Sequence, residues 1–140
     1  MVNIFNILFT EIAETLEAEF PTSTEPGRPI LVSGTALDSP QIMPCAAIFE
    51  IDNTTHQRTL DSARKEHHSR LHWQVEAYSN IVPGALAQAR EIIRVIDDVL
   101  TKYAFVRIMC QPMDNIGGGI TRIVARYTVV IGTDGLTFRN

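Results

Sequence analysis

The sequence predicts an α+β domain: a mostly antiparallel sheet of four to five strands with an N-terminal helix and one long helix packed on one face, in the order α-loop-β-β-α-β-β. Three observations predict it. Two segments repeat apolar residues at three- and four-residue steps, and four carry short apolar runs, alternating or rich in β-branched residues. Prolines and glycines punctuate the gaps between them. At 140 residues the chain fits one domain, 1–140, with a single core.

The opening "NIFNILFTEIAETLEAEF" reads as a helix because Phe5, Leu8, Ile12, Leu16 and Phe20 recur on one stripe while glutamates fall mostly between them. Asn3 is placed to cap it and Pro21 to stop it. From Pro21 to Pro44 there are five prolines and two glycines, so this part is loop or extended structure, with "PILVSG" a candidate short strand. "CAAIFEID" and "RLHWQVEAYS" follow as strands. In the second, Leu71, Trp73, Val75 and Ala77 point one way and His72, Gln74, Glu76 and Tyr78 the other. The segment between them, about 53–70, is an exposed long hairpin or loop, and loops of that length in a compact domain are usually functional or disordered.

"PGALAQAREIIRVIDDVLTKYA" predicts the long helix, with Leu86, Ala89, Ile93, Ile96, Leu100 and Tyr103 on one stripe and Pro83 suited to its first turn. Its roughly 20 residues give a length of about 30 Å, enough to cover a sheet. "FVRIMCQ" and "GITRIVARYTVVIG" are two further strands, joined through "PMDNIGGG". In the last, Thr121, Ile123, Ala125, Tyr127, Val129 and Ile131 share a face, and Arg122 and Arg126 lie on the other beside Ile120 and Val124.

Net charge is −4, and Glu11, Glu14, Glu17, Glu19 and Glu25 all precede the first basic residue, Arg28; a general DNA-binding domain would be basic instead. No apolar run approaches the roughly 18 residues of a membrane span, and Met1-Val2-Asn3 lacks the basic start of a signal peptide, so the expectation is synthesis and assembly in a cytoplasm without a membrane partner. Cys45 and Cys110 sit in "MPCAA" and "RIMCQP", which predicts buried thiols and no disulfide framework.

The stretch "HQRTLDSARKEHHSR", residues 56–70, holds three of the four histidines and four of the twelve basic residues. His56, His67, His68 and His72 lack zinc-site spacing, and adjacent His67 and His68 diverge, which favours solvated or interfacial histidines over a metal. Arg58, Arg64, Lys65 and Arg70 against Asp61 and Glu66 leave a locally basic segment without interleaved aromatics to stack on bases. "IGGGI" leads into a strand, not a helix N-terminus, and reads as a turn and not a phosphate loop. No GxSxG occurs, neither cysteine has a histidine near it in sequence, and no cofactor is expected. Asp97 and Asp98 lie near a helix C-terminus, where the dipole disfavours them. They are either an exposed face beside Arg94 or a pairing site for another subunit. Glu50, Glu76, Arg107, Arg122 and Arg126 are expected on the polar sheet face, as an oriented contact or a solvated surface.

Over residues 71–131 a strand ending "VEAYSN", a helix with "AREIIRVIDDVL", a strand start "AFVRI" and a last strand "ITRIVARYTVVIG" resemble the tail terminator (tail completion, or minor capsid) proteins of long-tailed bacteriophages. The resemblance implies a small subunit without an active site. It implies a homo-oligomer, a hexameric ring, that caps the completed tail tube protein and docks it to the head-tail connector or stopper protein, with DNA only passing through the lumen. The implied location is the virion tail-neck junction, after assembly in the host cytoplasm. Contacts to tube or subunit are then expected from Arg58, Arg64, Lys65, His67, His68, Arg70, Arg122, Arg126, Asp97 and Asp98. The alternatives are a head-completion or stopper neck protein and a small zinc-dependent enzyme using the histidine-rich segment.

Overall fold

The computed structural model describes residues 5–37, 42–55, 68–113 and 120–132, except the side chains of 52–55, 68, 69, 131 and 132. Helix α1, Phe5–Glu19, is followed by strands β1 (Leu31–Ser33), β2 (Cys45–Thr55) and β3 (His68–Ser79), helix α2 (Ala85–Lys102), and strands β4 (Val106–Met113) and β5 (Thr121–Gly132). The strands form one sheet in the order β1-β2-β3-β5-β4. β1 runs parallel to β2 and every other pairing is antiparallel, so the expected α+β class holds with a fifth, parallel strand making the sheet mixed.

α1 buries Leu8, Ile12 and Leu16, and its last turn is extended by the Phe20 N–H, which reaches the Leu16 carbonyl at 2.8 Å just before Pro21. The Pro-rich segment after it is tied down: the Ile30 N–H donates to Phe20 O at 3.0 Å, and Thr24 and Met43 exchange two hydrogen bonds. α2 starts after Gly84, whose φ of 103° suits a residue without Cβ. Pro83 thus precedes the cap and lies outside the first turn. The buried stripe of α2 is Ala89, Ile92, Ile93, Val95, Ile96, Val99 and Leu100, wider than the periodicity suggested, and Leu86 at its start is 41% exposed.

Both helices pack on one sheet face. There Trp73, fully buried, meets Phe5 edge-on at 5.2 Å and Phe105 at 4.7 Å between ring centroids, above Leu71, Val75, Ala77, Ile123, Ala125, Tyr127 and Val129. These are the inward positions that alternation assigns to β3 and β5, and burying them supplies most of the drive to fold. On the opposite face a smaller cluster of Met43, Cys45 and Tyr78, with Leu31, Leu37 and Ile120, covers one end.

Two bulges interrupt the alternation, between Glu50 and Asp52 and between Arg107 and Met109. Arg107 is paired with Tyr127 and therefore lies on the helix side, as does Glu50, paired with Trp73. Neither belongs to the polar face expected for it. The two cysteines also diverge: Cys45 is buried, whereas Cys110 is exposed, because β4 is an edge strand that α2 barely reaches. Burial pushes the Cys45 thiol up to about 12. Alkylation of the native protein at neutral pH should therefore add one group, at Cys110, and a second only after denaturation, as read by intact mass.

Candidate functional site

The open sheet face carries a connected polar network. Glu76 is 3% exposed, yet its carboxylate accepts from the Tyr78 hydroxyl at 2.6 Å, from Gln74 Nε2 at 2.6 Å and from Arg122 Nη2 at 3.1 Å. Arg126 Nε donates to Gln74 Oε1 at 3.1 Å, and the Arg122 guanidinium lies 5.9 Å from the Tyr78 ring centroid. The register explains the grouping: Gln74 is opposite Arg126 and Tyr78 opposite Arg122 across β3 and β5, so period-2 alternation puts all five side chains on one face. Burial pushes the Glu76 carboxyl up, but the hydrogen bonds from Tyr78, Arg122 and Gln74 outweigh it and hold the group below the usual glutamate range. Burial and the Glu76 carboxylate in turn push the Tyr78 phenol up. A carboxylate whose oxygens already accept three hydrogen bonds is a poor proton acceptor at neutral pH, so this group suits orientation better than acid-base work.

Of the expected contact residues, Arg122 and Arg126 belong to this network, while half-buried Arg70, opposite Thr54 and Val130, is two β3 positions from half-buried His72. Arg58, Arg64, Lys65 and His67 lie outside the described residues, and His68 is described only as the first backbone position of β3, opposite Gly132. The zinc reading of the histidines falls mainly on that segment. Among the described residues no three His, Cys, Asp or Glu converge.

Asp97 and Asp98 sit on the other side of the sheet and have partners within the chain. Asp98 accepts from Arg94 Nη1 at 2.7 Å on the exposed face of α2, the exposed-face arrangement beside Arg94. Asp97 accepts from the Tyr127 hydroxyl at 2.8 Å and lies 3.7 Å from Arg107 Nη1. Burial and this carboxylate push the Tyr127 phenol up. Asp97 and Arg107 also line a groove of about 350 Å³ between α2 and β4, together with Arg90, Ile93, Arg94, Cys110, Gln111, Pro112 and Ile123. This groove is not legible in the sequence. Its signal was hidden because the bulge at Ile108 shifts Arg107 onto the helix side.

Among the described residues no helix is long and apolar enough to cross a membrane. Comparison of the sequence with protein-family models and with curated proteins finds no match.

Proposed function

We propose that the chain is a structural protein of a long-tailed bacteriophage, a tail terminator whose ring caps the finished tail tube and joins it to the neck. One observation carries the reading. Residues from three of the four segments on which the resemblance rests meet at a single contact: Asp97 of "IDD", Arg107 of "FVR" and Tyr127 of "ARY". The strand end "YSN" contributes Tyr78, which stacks with Arg122 of the last strand. These polar positions thus hold the packing of α2, β3, β4 and β5 together, which is what a scaffold shared within a family of structural subunits requires. An acidic chain also suits a lumen through which DNA must pass without being trapped.

Virions lacking the protein test the reading against its neighbour in the neck. Loss of a terminator gives overlong or unjoined tails; heads that leak DNA beside normal tails would assign the chain to a stopper instead.

The segment 56–67 connects two strands paired up to Thr55 and Ser69. In this reading it is an arm that contacts the tube or a neighbouring subunit. Replacing residues 56–68 by Asn-Gly, a two-residue hairpin turn between Thr55 and Ser69, should leave the melting temperature nearly unchanged while reducing tail joining in a complementation assay. Normal joining would make the segment a plain connection. Histidines in such a contact would make it pH-sensitive at about pH 6 to 7.

A further inference from the structure

The helix layer is incomplete. α1 and α2 lie side by side, linked by Glu11 to Tyr103 at 2.6 Å and to Lys102 at 3.2 Å, and α2 covers β3 and β5. No element of the described chain covers the helix side of β4, where Arg107, Cys110 and Pro112 are all exposed. Arg90, Arg94 and Asp97 stand along the α2 wall of the groove so formed. Arg94 is held by Glu91 and Asp98, and Arg107 lies 3.7 Å from Asp97, so the lining sets three arginines against one carboxylate. Exposed Ile108, 54% accessible, sits at the bulge beside Arg107, near α2's C-terminus, whereas Val106, opposite Thr128, belongs to the other sheet face.

The chain carries a surface of the opposite character on its other flank. The α1 positions diametrically opposite buried Leu8, Ile12 and Leu16 are Ile7, Thr10, Glu14, Glu17 and Ala18, all exposed, with Ile7 68% accessible. No basic residue occurs before Arg28 to neutralise them from within the helix. We propose that this outward face of α1 from a second copy of the chain seats against the α2–β4 groove, with Glu14 and Glu17 towards Arg90 and Arg107 and Ile7 towards Ile108 at the β4 bulge. The two patches differ, so the contact is heterologous and repeats around a ring or along a filament. The inference rests on the ring reading above and supplies its interface. Charge complementarity sets orientation, and the apolar residues contribute burial.

Light scattering on the full chain tests it, alone over a concentration series and on tail tubes, with variants whose changed side chains are all exposed. Glu14→Lys with Glu17→Lys on one face, and Arg90→Glu on the other, should each leave the circular dichroism unchanged and raise the dissociation constant by about 100-fold, since like charges across an interface cost several kcal/mol. Mixing the two variants should restore assembly, because each supplies the charge the other inverted. Alkylation of Cys110 in the groove should slow on assembly of the wild type and stay fast in either variant alone. Variants that assemble like the wild type, with Cys110 equally reactive throughout, would refute this contact while leaving a ring by another surface intact. A wild type that remains monomeric alone and on tubes would refute both the contact and the ring. Monomeric protein whose Cys110 is protected only by tubes would give the groove to the tube protein, also against the proposal.

Discussion

Trp73→Ala should destabilise the fold by about 3–5 kcal/mol, the usual cost of emptying a large aromatic site. The indole is fully buried, is flanked by Phe5 and Phe105, and sits where both helices meet β3, so the surrounding groups cannot collapse into the vacancy without moving both helices. For a domain of this size the loss corresponds to a fall in melting temperature of about 10–20 °C, measurable by circular dichroism. Trp73→Phe should cost far less, about 1–2 kcal/mol, because the indole N–H is buried with no hydrogen-bond partner among the described residues and its removal offsets part of the lost volume. A loss for Trp73→Phe as large as that for Trp73→Ala would contradict this account.

Arg122→Ala should cost about 2–4 kcal/mol at neutral pH, below the figure for a fully buried pair because the arginine side chain is 27% exposed. The loss arises from leaving the Glu76 carboxylate buried without its cation. Glu76→Leu combined with Arg122→Leu removes both charges and should be much closer to neutral, a non-additivity that a double-mutant cycle reads directly. The pH dependence has a definite sign. Glu76 in the native state titrates below its unfolded value, so its contribution is fully present above about pH 4.3, the ordinary glutamate value, and is lost as pH falls through the native one. In Arg122→Ala, burial is less opposed and the carboxyl moves up, so protonation relieves the variant first. Its deficit relative to the wild type should shrink on acidification, as measured by urea melts at pH 7 and pH 4; a constant deficit would place the effect in packing alone.

How far these features could be read from the sequence depends on what each pattern encodes. Alternation specified the faces of β3 and β5, because Leu71, Trp73, Val75 and Ala77, and Ile123, Ala125, Tyr127 and Val129, each need one buried side. It states which face a residue occupies and not which strand lies beside it, so the buried Glu76–Arg122 pair was visible only as two charges on one face. β1 has three residues, too few for a periodic signal, and its parallel pairing with β2 depends on the fold around it. Apolar neighbours in sequence predicted burial for Cys110, but edge position decides exposure, and edge position follows from strand order. Sequence leaves Asp97 as either an exposed carboxylate beside Arg94 or a subunit contact, because its partner Tyr127 is thirty residues away on another element.

The central claim, a ring that ends a tail tube, is tested most directly by incubating the purified chain with preassembled tail tubes and imaging them in negative stain while following mass by light scattering. The account predicts tubes that stop growing and carry a ring at one end, with protein bound in a fixed ratio to tube ends regardless of tube length. A protein that stays strictly monomeric and never binds the tubes would contradict it.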